Sequence, residues 1–572
     1  MKRFIKYALP FKPYFIFGPL FILCGAMGEV LLPRLAAELI NSAVSGEEAG
    51  TLVAMALPMI AFSFVFAGVT LVGTQLSTRA SILFSAAIRK EAFSKIQRFS
   101  FSGLDAMQTG SLITRLTNDT AQIQQFTMQM LRMGIRSPAH LFGAVIMAFF
   151  INSKLAAVII ATAAVLAAAT ALIVRAAMPR FGRMQEKIDQ LNALVQEAVS
   201  NIRLIKSFVR GEHEIEKFKK ANVDLQEAAL KANRVMLLQR LSMTLSMNAA
   251  TIAVVWIGGG LILQGSMPVG DLAAFITYVT QILTSLMMFS NMLLTSSRAI
   301  VSARRIAEAL DQKEEPDGGL KGLSVREGSV EFKNVSFRYF KDNPNPVLEN
   351  ISFSIEPGQT AGLVGSTGSG KTTLVQMIPG LLRCDEGQVL VDGVDAREYE
   401  RANLRRGVHL VLQNNILFSG TIKENLSWGK GSATPEEMAR ASETAQARLF
   451  MEDAPDGPNT ELAQGGANLS GGQRQRLCLA RSILYNPKIL IMDDSTSAVD
   501  TATESRIRAG LRRDLNGVTK IIIAQRISSV QEADKILVLE KGRLVGVGRH
   551  EDLLEENEVY RRICFSQQRK DG

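Results

Sequence analysis

The apolar residues of the first three hundred positions are gathered into six long stretches. These stretches cover residues 14–35, 51–76, 138–152, 155–177, 241–263 and 272–294. Because an α-helix rises about 1.5 Å per residue, about 20 apolar residues cross a hydrocarbon core of about 30 Å. Most of the six stretches are long enough, and the pattern predicts an all-α membrane domain of six helices over residues 1–310.

The third and fourth stretches form one apolar block that is interrupted only by Asn152-Ser-Lys154, which we interpret as a tight turn. A buried helical hairpin is the alternative for this block alone, and six such stretches in one chain argue against it. No ionisable residue stands alone near the centre of the first, second, third, fifth or sixth stretch. A proton- or ion-coupled relay is therefore poorly supported.

The connections between the stretches differ in charge. Residues 41–50 and 264–271 contain no Lys or Arg, whereas residues 79–136 and 178–240 are rich in both. Cytoplasmic loops of membrane proteins carry such an excess of basic residues. We therefore expect a multi-pass protein of the cell (inner or cytoplasmic) membrane, with both long connections, both termini and the second half of the chain in the cytoplasm. Helical spacing within the long connections predicts that the membrane helices extend into the cytoplasm.

The composition agrees with two unlike parts, one facing lipid and one facing water. Hydrophobic residues make up 47% of the chain and the mean hydropathy is +0.14, which is high for a chain with 21% charged residues. The net charge of +10 would suit a nucleic-acid partner, but the basic connections account for it, and we expect none. The four cysteines are scattered without metal-ligand spacing, as in proteins of a reduced compartment.

Beyond residue 310 the pattern changes. Residues 311–328 are charged, rich in Pro and Gly and without apolar periodicity, which predicts a linker. Over residues 329–572, short β-rich runs alternate with helical stretches, and this alternation predicts an α/β nucleotide-binding domain. The predicted strands include residues 329–332, 388–391, 408–412, 489–492, 520–523 and 535–539.

The main chemical motif of the second half is Gly-Ser-Thr-Gly-Ser-Gly-Lys-Thr, which lies between an apolar run and a helix-like stretch. Its G-x-x-x-x-G-K-[ST] spacing is that of a phosphate-binding loop. The glycines let backbone N–H groups converge on a phosphate, the lysine reaches the β- and γ-phosphates, and the last hydroxyl binds Mg²⁺. The nucleotide-binding residues that we predict are Gly365, Ser366, Thr367, Gly368, Ser369, Gly370, Lys371, Thr372 and Thr373.

Asp493 ends the apolar run Ile489–Met492, at the place where a second carboxylate holds Mg²⁺ beside a phosphate loop. An apolar run that ends in Asp is a weak signal alone, and a strong one in this order after a phosphate loop. Thr372, Gln413 and Asp493 are thus the predicted magnesium ligands, with Gln413 added by the resemblance described next.

Residues 469–476, Leu-Ser-Gly-Gly-Gln-Arg-Gln-Arg, resemble the signature sequence of ATP-binding cassette (ABC) proteins. Together with the six preceding stretches, they make the whole chain similar to an ABC exporter half-transporter, in which a membrane domain is fused to a P-loop nucleotide domain. The resemblance implies that ATP is the nucleotide and that Tyr339 stacks on adenine. It also implies that Gln413 contacts Mg²⁺ and the attacking water, and that Asp500 communicates across a dimer.

In this family two nucleotide domains close head to tail, so each ATP lies between one chain's phosphate loop and the other chain's signature. The resemblance therefore implies that this chain offers its signature to a second half-transporter, through Leu469, Ser470, Gly471, Gly472 and Gln473.

Three positions depart from the family pattern. Asp494 follows Asp493 where the family has the catalytic glutamate, and a misplacement of about 1 Å can cost on the order of a hundredfold in rate. Gln525 stands where the family has its switch histidine; glutamine can bond a phosphate but cannot carry the charge or the proton. Gln464 stands where exporters usually have an acidic residue. Neutral drift, with Asp494 as a slower base, is the alternative.

The pattern resembles the degenerate-site subunit of heterodimeric bacterial ABC multidrug exporters. It predicts an ATP-hydrolysing exporter subunit with slow hydrolysis at its own site, a partner that carries the catalytic Glu and the switch His, and hydrophobic or amphipathic small-molecule cargo moved out of the cytoplasm through the lipid bilayer. Methionines crowd the last two apolar stretches and suit such cargo. A lipid or peptide exporter, a slow homodimeric exporter and an ATP-gated non-catalytic regulator remain alternatives.

Overall fold

The computed structural model describes residues 2–105, 107–316, 319–320, 322–339 and 345–568. The chain forms two compact units. One comprises Met1–Arg98 and Met107–Gln312, and the other comprises Phe99–Ala106 and Lys313–Gly572.

The chain up to residue 310 is helical. Short 3₁₀ segments (Lys2–Phe4, Leu9–Phe11) and a π-helical segment (Arg115–Asp119) accompany α-helices with these bounds: α1 Ile5–Ala8, α2 Lys12–Val44, α3 Ala49–Ile96, α4 Phe101–Asp105, α5 Thr109–Thr114, α6 Thr120–Ile151, α7 Ser153–Ser200, α8 Ile202–Ser207, α9 Gly211–Leu263 and α10 Val269–Leu310.

Six helical segments among the described residues are long and apolar enough to cross a membrane. Each predicted apolar stretch lies within one of the helices α2, α3, α6, α7, α9 and α10, except that the stretch 138–152 ends one residue after α6, and the predicted six-helix membrane domain is confirmed. Helix α9 has 53 residues and helices α3 and α7 have 48 each. At about 1.5 Å per residue they are about 70–80 Å long, which is more than twice the hydrocarbon thickness. The predicted extension of the helices beyond the membrane follows from these lengths.

A single residue separates α6 from α7. Asn152 leaves helical geometry, and its side-chain oxygen accepts hydrogen bonds from the backbone N–H groups of Lys154 and Leu155, at 3.0 and 3.3 Å. The amide thus caps α7 as an N-cap residue. The tight turn predicted at Asn152-Ser-Lys154 is present.

Helices α2 and α3 approach each other closely through small residues. A Cβ atom at Gly18 would lie 2.6 Å from Ser77 Oγ, and one at Gly73 would lie 2.8 Å from the backbone nitrogen of Ile22. Small residues of this kind are typical of helix contacts in membranes, where dispersion contacts rather than water exclusion hold helices together.

The second unit is built on sheets. Its strands are β1 Val330–Phe337, β2 Leu348–Ile355, β3 Thr360–Gly365, β4 Glu386–Val391, β5 Val394–Asp395, β6 Val408–Val411, β7 Gly420–Thr421, β8 Glu461–Leu462, β9 Ile489–Asp493, β10 Thr519–Ile523, β11 Lys535–Glu540 and β12 Arg543–Gly548. The larger sheet has the order β12-β11-β3-β10-β9-β6, and a second sheet has the order β2-β1-β4-β5. All six strands predicted from β-rich runs are present, and β3 is the apolar run before the phosphate loop. Strands β2, β5, β7, β8 and β12 were not predicted.

The helices of this unit are α11 Lys371–Gln376, α12 Arg401–Gly407, α13 Ile422–Ser427, α14 Pro435–Thr444, α15 Arg448–Glu452, α16 Gly471–Leu484, α17 Thr501–Asp514, α18 His550–Glu556 and α19 Glu558–Gln568. Helix α10 ends at Leu310 and β1 begins at Val330, on either side of the predicted linker over residues 311–328. Residues 317, 318 and 321 of that linker, and residues 340–344 and 569–572 of the predicted nucleotide domain, lie outside the described residues.

The parallel strands of the larger sheet place the site. Strand β10 pairs in parallel with both β3 and β9, with Ile523 opposite Leu363 on one side and Asp493 on the other. The carboxyl ends of three neighbouring parallel strands therefore meet at one edge, where open α/β sheets bind their ligands. The phosphate loop, Asp493 with Asp494, and the segment after Ile523 all begin there.

Candidate nucleotide site

The phosphate loop joins β3 to α11 through glycines that other residues could not replace. Gly370 has φ +96° at the start of α11, a left-handed conformation that favours glycine. A Cβ atom at Gly365 would lie 2.2 Å from the backbone oxygen of Leu539. The loop is therefore held against β11, and its backbone is open toward the cavity that it borders.

Lys371 folds back across this loop. Its Nζ donates hydrogen bonds to the backbone oxygens of Gly365 and Ser366, at 2.9 and 2.8 Å. Burial lowers the pKa of Lys371, while the nearby Asp493 and Asp494 carboxylates oppose that shift. The loop thus concentrates one half-buried cation beside the backbone N–H groups of a helix start, an arrangement that suits phosphate oxygens.

Asp493 lies at the end of β9 and faces the same loop. The Thr372 hydroxyl donates a hydrogen bond of 2.8 Å to Asp493 Oδ2. Burial raises the pKa of the Asp493 carboxyl, and Thr372 partly offsets the shift. A hydroxyl and a carboxylate in contact are hard oxygen ligands of the kind that Mg²⁺ takes beside substrate phosphates.

The two residues that depart from the family pattern touch each other. Gln525 Nε2 donates a hydrogen bond of 2.8 Å to Asp494 Oδ2, across 31 positions of sequence. Asp494 has φ +51°, which is uncommon for a residue with a side chain. Burial raises the pKa of the Asp494 carboxyl, and hydrogen bonds from Ser497, Gln525 and Gln413 only partly counter the rise. The short carboxylate is therefore engaged by a neutral amide.

These groups surround one cavity of about 620 Å³. Its lining contains eight of the nine predicted phosphate-loop residues from Gly365 to Thr373, all except Ser369, together with Gln413, Asp493, Asp494 and Gln525. Ser369 is buried behind the loop. Tyr339 does not line the cavity, but its hydroxyl lies 3.1 Å from Thr373 Oγ1 and its ring is about half exposed. The structure thus gathers the predicted magnesium and catalytic residues into one site.

The signature residues lie elsewhere in the unit. Ser470 caps α16: its Oγ accepts from the Gln473 N–H at 3.3 Å, and the Gln473 side chain accepts from the Ser470 N–H at 2.9 Å. This reciprocal pair is a capping box. None of the five residues Leu469–Gln473 lines the cavity of their own chain, and Ser470 is exposed at the surface of the unit.

A residue of the signature segment that the sequence did not single out ties α16 to Asp494. The buried Gln475 donates to Ser497 Oγ at 3.2 Å and to the Asp494 backbone oxygen at 3.4 Å, and it accepts from the Ala498 N–H at 2.9 Å. The sequence feature that could have identified Gln475 is its position two residues after Gln473, within the signature sequence. The signature helix and the altered Asp494 are thereby coupled within one chain.

The remaining predicted positions lie outside the cavity. The Asp500 side chain caps α17 by accepting a 2.9 Å hydrogen bond from the Thr503 N–H, which lowers the pKa of Asp500. Gln464 lies in a 3₁₀ turn, Gln464–Gly466. No histidine among the described residues lines the cavity, so none takes the place of the switch histidine.

The C-terminal helix α19 contributes a wall of the cavity that sequence reasoning missed. Ile563, Ser566 and Gln567 line it. Gln567 Nε2 donates to the Gln525 backbone oxygen at 2.6 Å, and Gln567 Oε1 accepts from the Ile527 N–H at 2.8 Å. No spacing or motif indicates this contact, because it joins the last described helix to a loop that lies 40 residues earlier.

The residues present fit Mg-ATP. The loop supplies a cation and backbone donors for phosphates, and Thr372 with Asp493 supplies two oxygen ligands. Among the described residues no cluster of three or more His, Cys, Asp or Glu could hold a metal by itself. Mg²⁺ is usually held by one or two protein oxygens together with nucleotide phosphates, and Thr372 and Asp493 would supply the protein oxygens here.

Comparison with known proteins gives the family. The profile of the ABC transporter transmembrane region matches residues 15–286, and that of the ABC transporter nucleotide domain matches residues 348–497. The ABC transporter ATP-binding protein YfiB of Bacillus subtilis is 36% identical over 546 residues, which are 95% of this chain and 94% of YfiB. The ATP-dependent lipid A-core flippase of Desulfotalea psychrophila is 32% identical over 82% of each chain.

A solved structure agrees along almost the whole length. A bacterial Atm1-family ABC exporter with ATP bound superposes with a TM-score of 0.82 and 25% identity, covering 96% of this chain and 98% of that one. The membrane helices, the phosphate loop and these relatives lead to one conclusion: the chain belongs to the ABC transporter family, as an ATP-driven exporter half-transporter that joins a membrane domain to an ATP-binding domain.

Proposed function

We propose that this chain is the degenerate-site subunit of a heterodimeric exporter. It binds Mg-ATP on its own phosphate loop, turns that ATP over slowly, and completes a competent site on a partner that carries the catalytic glutamate and the switch histidine. Its cargo is a hydrophobic or amphipathic small molecule of the drug type. The termini and the nucleotide domain lie in the cytoplasm, as the basic connections between membrane helices indicate.

The contact between Asp494 and Gln525 carries the proposal. A general base must reach the proton that it removes, within about 2.6–3.2 Å or through one water. Here Asp494 is one methylene shorter than glutamate, and its Oδ2 is occupied by the Gln525 amide at 2.8 Å. Gln525 offers hydrogen-bond donors but no titratable proton. The family's two proton-moving groups, a glutamate and a histidine, are thus replaced by Asp494 and Gln525, which hydrogen-bond each other.

The binding side of the same site is complete. Mg-ATP, when bound, supplies the electrophilic γ-phosphorus and a divalent charge that neutralises the phosphates. Lys371 and the loop N–H groups orient the phosphates, and Thr372 with Asp493 holds the metal ion. Gln413 lies close enough to Asp494 to lower its pKa, on the wall that an attacking water would approach. The chain therefore retains nucleotide more effectively than it promotes attack on it.

The signature supports the second part of the proposal. Ser470 to Gln473 are ordered by the capping box of α16 and lie outside their own chain's cavity. In a head-to-tail dimer they meet the nucleotide of the partner, where the Ser470 side of the helix start would face phosphate. ABC exporter half-transporters normally dimerise, and a heterodimer gives this intact signature a competent site to complete.

Lipid is the second candidate cargo, because the lipid A-core flippase of Desulfotalea psychrophila is 32% identical over 82% of this chain. Both cargo classes are amphipathic, and one reconstituted system separates them. Vesicles that contain the two subunits are loaded either with a fluorescent dye or with a fluorescent phospholipid, and ATP-dependent movement of each is followed.

The test of the proposed function is ATPase activity with and without the partner. The purified chain alone should hydrolyse ATP slowly, and co-expression with a half-transporter that carries the Glu and the His should give much faster turnover with ATP-dependent dye export. Robust turnover by the isolated chain, abolished by Asp494→Ala, would show that its own site is competent and that the proposal is wrong.

A further inference from the structure

A proline in the first long membrane helix opens a polar position inside the bilayer. Pro33 lies within α2 and has no N–H to donate to the backbone oxygen of Glu29, four residues earlier. Gln281 of α10 fills that vacancy, since its Nε2 donates to the Glu29 backbone oxygen at 3.2 Å. The Tyr278 hydroxyl donates to the next oxygen, that of Val30, at 3.0 Å. Helices α2 and α10 are thus joined at the proline.

The Glu29 side chain reaches a third helix at the same level. Arg136 Nη2 of α6 lies 2.8 and 2.6 Å from the two Glu29 carboxylate oxygens, and His140 Nε2 lies 2.9 Å from Oε2. Glu29, Arg136, His140 and Gln281 therefore form one cluster between α2, α6 and α10, which we call the membrane polar cluster. Glu29 lies within the apolar stretch 14–35 and His140 within the stretch 138–152, and the structure shows that each of them has a partner rather than standing alone.

The membrane polar cluster lies away from the ends of the membrane helices. Glu29 precedes the end of α2 at Val44 by 15 residues, and Gln281 follows the start of α10 at Val269 by 12 residues. At about 1.5 Å per residue, the cluster is about 18–22 Å from those helix ends, and Arg136 lies two residues before the apolar stretch 138–152, at the boundary of the hydrocarbon core. Charged groups at this depth face the interior of a helix bundle or a water-filled cavity, because exposure to acyl chains is costly.

The cluster is accessible and carries a positive excess. The Arg136 and Glu29 side chains are 37% and 31% exposed in the single chain. Arg132 lies one helical turn before Arg136 on α6 and has no ion pair with any described residue. Glu29 is thus paired with Arg136, and among the described residues no carboxylate is paired with Arg132. An anion that approaches the exposed side of the cluster meets Arg136, and it can replace Glu29 as the partner of Arg136.

Apolar, adaptable side chains lie on another face of the same segment of α6. A Cβ atom at Gly134, two residues before Arg136, would lie 3.2 Å from Met130 Sδ and 3.4 Å from Met292 Sδ. Residues two apart on a helix point to different sides, so these methionines pack away from the Arg136 side chain. The charged position therefore lies on a helix with an apolar face, which fits a molecule with an acidic head and an apolar tail.

We propose that the membrane polar cluster binds the carboxylate or phosphate head group of an amphipathic anionic cargo, which replaces Glu29 on Arg136. The inference rests on the proposed exporter function and narrows its cargo class. Arg136 provides the charge-assisted bonds, and Arg132 adds positive charge one turn away. Glu29 serves as an internal competitor that keeps Arg136 paired when no cargo is bound, since an unpaired charge at this depth is unfavourable.

The test uses the full chain in phosphatidylcholine nanodiscs and three matched probes: 11-dansylaminoundecanoic acid, its primary amide and the corresponding dansyl-undecylamine. Binding is read from dansyl fluorescence. The acid should bind about tenfold more tightly than the amide, the size of one charge-assisted contact, and Arg136→Gln should abolish that preference. Glu29→Gln should instead tighten binding of the acid severalfold, because the competing carboxylate is gone.

Dodecyl phosphate and inorganic phosphate, added as competitors, separate an amphipathic ligand from a free anion. Dodecyl phosphate should displace the acid at concentrations where inorganic phosphate does not. Equal displacement by inorganic phosphate would overturn the amphipathic claim.

The matched control is Arg34→Gln. Arg34 is another membrane-domain arginine in an ion pair, 3.0 Å from Asp271, outside the membrane polar cluster. The Arg34→Gln substitution should leave the ratio of the affinities for the acid and the amide unchanged. Equal binding of acid and amide, or a preference for the amine that Glu29→Gln removes, would overturn the inference.

Retained binding of a fluorescent ATP analogue shows that each variant is folded, and it reports on the nucleotide site independently. If Arg136→Gln does not fold, the increase expected for Glu29→Gln decides the question alone. A failure of partner-stimulated ATPase would contradict the proposed function without changing these binding ratios.

Discussion

The two ends of the nucleotide cavity differ in how they are built. At the phosphate-loop end, Lys371 bonds the backbone oxygens of Gly365 and Ser366, and Thr372 bonds Asp493; these are the groups that we propose bind phosphate and Mg²⁺. At the other end, Asp494 and Gln525 bond each other. We propose that the first end binds nucleotide, and that the second promotes hydrolysis poorly because Asp494 and Gln525 replace the family's glutamate and histidine.

This difference separates two properties that are usually found together. Affinity for ATP depends on the loop and its cation, whereas the rate of hydrolysis depends on a positioned base and a charged neighbour. In the proposed function the chain keeps the groups for binding and has substitutions in the groups for hydrolysis. Substitutions at the two ends should therefore change different measurements.

The largest effect is expected at the binding end. Lys371→Ala removes the cation that the loop holds, and charge-assisted bonds of this kind correspond to a loss of about 10- to 100-fold in affinity. Equilibrium binding of a fluorescent ATP analogue measures it. Lys333→Ala is the control, because that exposed lysine pairs only with Glu331 at the surface and should change nothing. Unchanged affinity in Lys371→Ala would place ATP elsewhere.

A second substitution tests whether the signature acts on the partner's nucleotide. A Cβ atom at Gly471 would lie 3.4 Å from the Ala498 Cβ, an ordinary contact, so Gly471→Asp is tolerated by this chain. Its carboxylate would face the partner's phosphates, and like charges in contact cost enough to slow partner-stimulated ATPase by about tenfold or more. ATP binding to this chain should be unaffected. If instead only this chain's binding falls, the signature acts within its own chain.

The hydrolytic end can be restored. The double variant Asp494→Glu, Gln525→His returns the missing methylene and a titratable ring, and hydrolysis at this site should rise by about ten- to a hundredfold. The affinity for the fluorescent ATP analogue, which depends on Lys371, should stay as in the wild type. Phosphate release by the purified chain is the measurement, and Asp494→Glu alone serves as the control because it leaves the proton-carrying group absent.

A smaller effect is expected where α19 supports the altered end. Gln567→Leu removes the hydrogen bonds to the Gln525 backbone oxygen and the Ile527 N–H, and ATP affinity should fall about threefold as the loop loses its support. Ser566→Ala is the matched control, because Ser566 lines the same cavity but its hydroxyl bonds only Ile563 within its own helix. Equal effects of the two variants would mean that the contact does not position the loop.

The smallest effect concerns pH. Because burial raises the pKa of Asp494, the folded chain binds that proton more tightly than the unfolded chain does. The charged carboxylate therefore lowers stability above its ordinary pKa of about 4, and the loss disappears as the pH falls toward that value. Asp494→Asn should raise the unfolding temperature of the nucleotide-free protein by about one degree near neutral pH and not near pH 4.

Asp514→Asn is the control of opposite sign. The hydrogen bond from Arg513 lowers the pKa of Asp514, so this carboxylate stabilises the folded chain at neutral pH and less so in acid. Its substitution should lower the unfolding temperature near neutral pH. A rise in both variants would show that the effect does not come from the charge of Asp494.

Sequence reasoning was strongest where a pattern is local. Apolar runs predicted the six membrane helices, because each needs only its own length to cross a bilayer, and the loop spacing predicted the residues around Lys371. Strands β2 (Leu348–Ile355) and β12 (Arg543–Gly548) were not predicted, because they are antiparallel strands at sheet edges. Such strands are buried on one face and do not form a continuous apolar run.

Contacts between segments that are far apart in the sequence could not be predicted from local patterns. The sequence identified Asp494 and Gln525 as departures, but their hydrogen bond depends on β9 and β10 being parallel neighbours. Gln567 reaches the segment after Ile523, which contains Gln525, only because α19 returns to the sheet edge. The partners of Glu29 lie more than 100 positions away on α6, so their pairing became visible only in the folded chain.

Single-turnover hydrolysis tests the central claim most directly. The purified chain, in excess over γ-labelled ATP with Mg²⁺, is compared with its Asp494→Glu, Gln525→His variant over the time in which the variant converts most of its label. The wild-type chain should still hold most of the label as ATP. Release of labelled phosphate by the wild type as fast as by the variant would contradict a site that binds ATP and retains it.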